Sequence, residues 1–134
     1  MKVLGIDFDA NKASFVLVSG THEEAEVTHK ERLQLGETRS QADMAAFRDG
    51  VRRILELCAP DAISVRAKPE NGQMRAGAAA LKMEAIVLAE SAAPLEFVSS
   101  VKASKQADRD GLFAYLQPAY KAAMARLAAP TKKK

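Results

Sequence analysis

The sequence is poor in the residues that build disulfides, zinc sites and reactive thiols, with one cysteine and two histidines. A single cysteine, Cys58, cannot form an internal disulfide, which predicts a reducing compartment. One cysteine with two separated histidines cannot supply a clustered zinc site. Cys58 lies within an apolar helical pattern, so we expect an inert, packed side chain. A Gly-rich phosphate loop of the nucleotide-binding type is also missing.

Long apolar runs are missing too. No stretch approaches the ~20 consecutive apolar residues that cross a bilayer, and Asp7 stands where a signal peptide needs apolar residues. These absences predict a cytoplasmic protein with no membrane role. The 134 residues predict one domain with one core. We expect it to span residues 1–129, followed by a disordered basic tail over residues 130–134.

The net charge of +3 is unevenly spread along the chain. Residues 1–67 carry 9 Lys/Arg and 11 Asp/Glu, whereas residues 68–134 carry 11 and 6. A basic half suits polyanion binding, so DNA or RNA is a predicted partner, with ordinary surface charge as the alternative. Three of the positive charges are the terminal Lys132, Lys133 and Lys134. The predicted nucleic-acid contacts are six cations: Arg66, Lys68, Arg75, Lys102, Lys105 and Arg109.

The hydrophobic pattern predicts an α/β fold with eight main elements. Strands are predicted at 2–8, 13–20, 26–33, 62–67 and 95–98, and helices at 40–58, 78–91 and 118–127. The first two strands are close enough in sequence to pair as a hairpin. The order predicts a mixed five-stranded sheet, with a three-stranded antiparallel meander plus two parallel strands, and helices on its faces.

Two segments carry a resemblance to a known superfamily. They are Gly5-Ile6-Asp7 with the turn and strand that follow it, and the loop-to-helix segment Gly77–Ala85. With the element order, they resemble the ribonuclease H-like superfamily, particularly its RuvC-type resolvase branch. The chain without its tail also resembles a short bacterial family of unknown function. In that family Arg-, Lys- and Gly-rich residues precede an Ala-x-x-x-Lys-Met-Glu-Ala-like helix.

Gly-Ile-Asp also occurs in actin-like ATPases and sugar kinases. Those enzymes close two such domains around ATP, and 134 residues supply one. The resemblance therefore favours the nuclease branch.

The resemblance implies a two-metal nuclease site, in which Mg²⁺ or Mn²⁺ ions are held by several carboxylates at the sheet. Asp7 matches the aspartate at the end of the first strand, so it is the predicted metal ligand and a predicted catalytic residue. The other predicted catalytic carboxylates are Glu70, Glu84 and Asp110, with Asp108 beside the last.

The sequence departs from this pattern at two places. The end of the fourth strand carries Arg66 where the resemblance implies a glutamate, and a cation there would repel a metal and is able to pair with Asp7. The final helix begins Gln117-Pro118 and lacks the implied acids. Glu70 reads as a solvated loop residue, and Glu84 suits a structural ion pair as well as a site role.

Three functions therefore stay open. We expect a diverged, catalytically impaired ribonuclease H-like domain that binds nucleic acid. The alternatives are an active Mg²⁺- or Mn²⁺-dependent nuclease with an unconventional carboxylate site, and a protein-interaction or homodimeric scaffold. Acids converging on Asp7 would favour the nuclease, whereas an Asp7–Arg66 pair would count against it. With no tryptophan and 5% aromatic residues, we expect base-stacking platforms to be scarce.

Overall fold

The computed structural model describes residues 1–68 and 77–128 of the chain. The elements, in chain order, are β1 (Lys2–Asp9), β2 (Lys12–Gly20), β3 (Ala25–Gln34), α1 (Gln41–Cys58), β4 (Ala62–Arg66), α2 (Ala78–Glu90), β5 (Leu95–Val98), α3 (Ser100–Ser104), a 3₁₀ turn (Ala114–Leu116) and α4 (Gln117–Ala128). Every predicted strand and helix is present. Across the described ranges, no helix combines the length and apolarity needed to cross a membrane.

Helix α1 shows how local sequence sets the ends of an element. The Ser40 hydroxyl caps its start by accepting a hydrogen bond from the Asp43 backbone N–H at 3.1 Å. Ala59 ends it in the left-handed conformation, with φ of 42°, and Pro60 follows. Cys58, on the buried face, is 2% exposed, and burial raises the pKa of its thiol. That setting fits the packed side chain expected from the sequence.

The strands form one mixed sheet in the order β3-β2-β1-β4-β5. β1 pairs antiparallel with β2, and β2 with β3, whereas β4 is parallel to β1 and β5 is parallel to β4. The predicted fold class is confirmed: an antiparallel meander carries two further parallel strands, with helices on both faces. β1 lies at the centre, where the antiparallel and parallel halves meet.

Alternation along β1 divides its side chains between the two faces of the sheet. Leu4, Ile6 and Phe8 belong to the core cluster that α1 and α2 cover. Val3 belongs to a second cluster that includes α4, and the same alternation places Gly5 and Asp7 on that side.

Helix α4 approaches the sheet closely because small residues face each other. A Cβ added at Gly5 would lie 1.9 Å from the Ala119 carbonyl oxygen. The buried Ser64 hydroxyl donates a hydrogen bond to the Ala122 carbonyl oxygen at 2.7 Å. These contacts fix α4, and the turn before it, across the carboxyl ends of β1 and β4.

Candidate nucleic-acid interface

Four polar side chains form one row across the sheet on the α4 side. Asp7 lies opposite Ser14 of β2, and Ser14 lies opposite Arg32 of β3. On the other side, Arg66 follows Val65, which pairs with Ile6, so Arg66 stands next to Asp7. The row therefore reads Arg66, Asp7, Ser14, Arg32. It lies at the carboxyl ends of the parallel strands, where open α/β sheets bind their ligands.

One end of this row is an ion pair. The Asp7 side chain is 5% exposed, and Nη1 of Arg66 donates a hydrogen bond to its Oδ1 at 3.2 Å. Burial raises the pKa of Asp7, and this effect outweighs the lowering by Lys68 and Arg66. Because an unpaired buried carboxylate is costly, the pair explains how an aspartate is accommodated in an apolar strand. The Asp7–Arg66 pairing that the sequence allowed is confirmed.

The groups around Asp7 do not fit a two-metal centre. In residues 1–68 and 77–128, no cluster of three or more His, Cys, Asp or Glu side chains is placed to hold a metal ion. Hard divalent ions need several oxygen ligands. Among the described residues, the charged groups that act on Asp7 are Lys68 and Arg66, with Asp9 as the carboxylate, and the two cations would repel such an ion. Glu70 lies outside the described residues.

Of the remaining predicted carboxylates, Glu84 and Asp110 lie apart from the ion pair, whereas Asp108 lines a cavity that Arg66 also lines. Glu84 belongs to α2, which covers the opposite face of the sheet. Asp110 lines a separate cavity beside β3. Asp108, whose side chain is 65% exposed, forms an ion pair with Lys121 of α4. The structure therefore does not gather these acids with Asp7 into one site.

A cavity of about 460 Å³ opens beside Arg66. It is bounded by the ends of β4 and α3, the segment before the 3₁₀ turn and the start of α4. Its polar lining residues are Arg66, Ser104, Asp108, Gln117 and Lys121. The two lining cations are Arg66, at the end of β4, and Lys121, on α4. The carboxylate among the polar lining residues is that of the exposed Asp108. This lining suits an anionic group more than a cationic one.

Gln117 holds one wall of the cavity in place. Its side-chain oxygen accepts a hydrogen bond from the Arg109 N–H at 2.9 Å, and its Nε2 donates to the carbonyl oxygens of Arg109 and Leu112. The Arg109 guanidinium donates to the Ala25 carbonyl oxygen at 3.0 Å and lies 5.8 Å from the Tyr120 ring centroid. Arg109 thus ties this loop to β3, and a nucleic-acid contact by Arg109 stays a prediction.

Three of the other predicted cations belong to the described residues and do not line the cavity. Lys68 is half-buried and acts electrostatically on Asp7. Lys102 is exposed on α3, and the exposed Lys105 follows the end of that helix, whose Ser104 lines the cavity. Arg75 lies outside the described residues.

Lys121 is a candidate that the sequence analysis missed. It lies near the start of the final helix, where the resemblance implies an acid, and it lines the Arg66 cavity. The signal was present in the sequence. The helix that lacks the implied acids carries this cation.

The order and directions of the five strands, with helices on both faces of the sheet, define a ribonuclease H-like fold. The chain superposes on the Thermus thermophilus RuvC structure with a TM-score of 0.76 at 15% identity, covering 93% of this chain and 92% of that one. T. thermophilus RuvC in complex with Holliday junction substrate gives 0.73 at 16% identity, with 93% and 91% coverage. The yeast mitochondrial Holliday junction resolvase gives 0.62 at 12% identity, with 93% and 77% coverage.

The sequence itself matches the family model described as "Protein of unknown function (DUF3010)" over residues 1–126. The chain therefore belongs to the DUF3010 family. No curated protein matches the sequence. The structural likenesses, all at low identity, establish the fold, and the activity has to be argued from the site.

Proposed function

We propose that this protein is a nucleic-acid-binding domain that keeps the ribonuclease H-like scaffold and has lost metal-dependent nuclease chemistry. The observation that carries this proposal is the Arg66–Asp7 pair. The Arg66 guanidinium donates a hydrogen bond to the Asp7 carboxylate, which a metal ion would require as a ligand. The positive charge at the carboxyl end of the central strand is then supplied by the protein's own side chain.

Arg66 is suited to contact phosphate from this position. A guanidinium carries five N–H donors in a planar fork that matches two phosphate oxygens. The bond to Asp7 at 3.2 Å restrains the side chain, which is 30% exposed. Holding the guanidinium in place lowers the entropy lost when it binds a ligand.

A second cation lies at the same site, where it also pairs with the exposed Asp108. Lys121 approaches the cavity from α4, across from the end of β4 where Arg66 lies. Lys102 and Lys105 are exposed on and after α3, and extend the positive surface beyond the cavity. Contacts of this kind are made to the sugar–phosphate backbone and position a nucleic acid without reading its sequence.

The structural neighbours suggest which nucleic acid to test first. One of the RuvC structures is a complex with a Holliday junction substrate. Branched DNA is therefore the first ligand we would examine, followed by single-stranded DNA and RNA.

The proposal is tested by fluorescence anisotropy with a labelled four-way junction, duplex and single strand over a series of salt concentrations. The variants are Arg66→Gln and Lys121→Gln. Arg48→Gln is the matched control, because Arg48 lies on α1, across the sheet from α4, and pairs with its neighbour Asp49. Circular dichroism establishes that each variant is folded.

We expect affinity to fall steeply with salt for the wild type and for Arg48→Gln. Loss of one phosphate contact lowers the slope of log K against log salt by about 0.7 to 0.9, and we expect this change for Arg66→Gln and Lys121→Gln. Absence of binding at low salt would overturn the proposal. So would identical slopes for the two site variants and the control.

A further inference from the structure

Two aromatic side chains lie together at the surface near the cavity. Phe113 is 66% exposed and Tyr115 is 43% exposed. Their ring centroids are 5.7 Å apart, and their planes differ by 13°. The sequence has five phenylalanines and two tyrosines, and most of the others are buried in the core: Phe8, Phe15, Phe47 and Tyr120. Keeping two rings exposed side by side forgoes the burial that usually stabilises them.

The rings are carried by an anchored segment of backbone. The Ser14 hydroxyl donates a hydrogen bond to the Tyr115 carbonyl oxygen at 3.2 Å. The Leu116 N–H donates to the Phe113 carbonyl oxygen at 3.0 Å, and the Leu116 side chain is buried. Phe113 and Tyr115 are thus presented from a fixed turn.

A cation stands directly against this ring pair. The Arg32 guanidinium lies 4.0 Å from the centroid of the Tyr115 ring, a distance at which cations are attracted to aromatic faces. Arg32 is also the end of the polar row that contains Arg66. The strands carrying Arg32 and Arg66 are three strand spacings apart, or about 14 Å.

The segment before α4 separates the rings from the cavity. Leu112 and Ala114 line the Arg66 cavity, whereas Phe113 and Tyr115 alternate with them and stack on each other. One short segment therefore contributes residues to the cavity and also carries the aromatic pair, which has its own cation in Arg32.

We infer that Phe113 and Tyr115 form a stacking platform for unpaired nucleobases. Single-stranded nucleic acid, or the unpaired part of a branched one, is then the ligand class of this domain. This inference rests on the proposed function and goes beyond it by naming the form of nucleic acid. Aromatic faces stack bases of any sequence, and nearby cations follow the backbone. Bases inside a duplex already stack on each other and are not presented to such a platform.

The test separates stacking from phosphate binding by removing the bases from the ligand. The two probes are a labelled oligothymidylate and an abasic deoxyribose-phosphate strand of the same length, titrated at low salt. Base–aromatic stacking corresponds to about a 5- to 150-fold change in affinity on truncation to alanine. We expect Phe113→Ala and Tyr115→Ala to weaken binding of the oligothymidylate within this range and to leave the abasic strand within twofold.

Two controls accompany these variants. Phe97→Ala removes a phenylalanine that is 44% exposed on the edge strand β5, and it should leave both probes unchanged. Tyr115→Phe keeps the ring and should retain affinity. Because the chain has no tryptophan and Tyr120 is 6% exposed, quenching of tyrosine emission by the oligothymidylate should disappear in Tyr115→Phe.

Several results would overturn the inference. If the wild type binds the abasic strand as tightly as the oligothymidylate, or if Phe97→Ala weakens binding as much as Phe113→Ala, the platform is wrong while the proposed function stands. If neither strand nor duplex binds at low salt, the proposed function fails and the inference fails with it. If Phe113→Ala changes the sedimentation of the free protein and not its affinity for the oligothymidylate, the rings serve a contact between copies.

Discussion

The two faces of the central sheet are built from the same strands and differ in chemistry. Towards α1 and α2, β1 presents Leu4, Ile6 and Phe8, all fully or almost fully buried. Towards α4, the same strand presents Val3, Gly5 and Asp7. Full burial of a large aliphatic or aromatic side chain stabilises by about 1.5–3 kcal/mol, so the α1/α2 face carries much of the apolar stability.

On the α4 face, buried polar side chains take the place of some of the apolar ones. Hydrogen bonds such as those made by Ser14 and Ser64 contribute about 0.5–1.5 kcal/mol net. Burial of Asp7 opposes its ionisation. Stability alone does not favour this composition, which agrees with the ligand site proposed at the carboxyl end of β1. We therefore expect substitutions on the α1/α2 face to change stability more than binding.

The largest effect on stability is expected from Ile6→Ala on the α1/α2 face. Removing a fully buried aliphatic side chain leaves a cavity and should lower the free energy of unfolding by about 2–5 kcal/mol. The measurement is urea denaturation, with nucleic-acid affinity measured on the folded protein. Affinity should stay within twofold of wild type, and a large loss of affinity would break the division between the faces.

Gly5→Ala should affect both properties. The added Cβ would meet the Ala119 carbonyl oxygen at 1.9 Å, so α4 has to shift. Overpacking of this kind costs about 1–3 kcal/mol, and displacement of α4 should also weaken nucleic-acid binding. Gly50→Ala is the control, because its Cβ would meet the flexible end of Leu33 at 3.1 Å and alanine favours the α1 helix. Equal behaviour of the two variants would contradict the close α4 packing.

Ser64→Ala should have a smaller effect. It removes the buried hydroxyl that donates to the Ala122 carbonyl oxygen, at a cost of about 1 kcal/mol. Thermal and urea denaturation give the change directly. A variant as stable as wild type would show that this hydrogen bond does not help to hold α4.

Asp7→Asn should change the free energy of unfolding by a small amount that depends on pH. Burial raises the pKa of Asp7 above 3.8, so the folded state holds the proton more tightly than the unfolded state. The contribution of Asp7 to stability is therefore fully present below about pH 4 and lost as pH rises through the folded pKa.

Asparagine does not titrate, so the stability of the wild type relative to Asp7→Asn should fall as pH rises. Urea denaturation of both proteins between pH 3 and 7 measures this difference. A difference that grows with pH would mean that pairing with Arg66 dominates over burial.

The sheet was predictable from the sequence because its signals are local. Hydrophobic periodicity predicted the five strands and the helices α1, α2 and α4, and the cation at Arg66 already indicated a partner for Asp7. The short helix α3 and the 3₁₀ turn were not predicted from it. The exposed pair of Phe113 and Tyr115 was not predictable in the same way. Low aromatic content suggested that such platforms are scarce, whereas the Ser14–Tyr115 contact joins residues 101 positions apart and depends on how α4 packs.

Glu84 illustrates the other limit of local reasoning. Helix α2 is rich in alanine and apolar residues, so its pattern did not indicate which side of the sheet it covers. The structure places α2 against Leu4 and Ile6, opposite the face of Asp7. That choice follows from the crossover between β4 and β5, which is a property of the whole fold.

The most direct test of the central claim compares nucleic-acid binding in EDTA and in Mn²⁺. A labelled junction and a labelled single strand are titrated with wild type and Asp7→Asn, and the strands are then analysed for cleavage. If Arg66 supplies the cation at this site, affinity should agree within twofold in the two buffers and the strands should stay intact. Cleavage or tight binding that requires Mn²⁺ and disappears in Asp7→Asn would contradict the account.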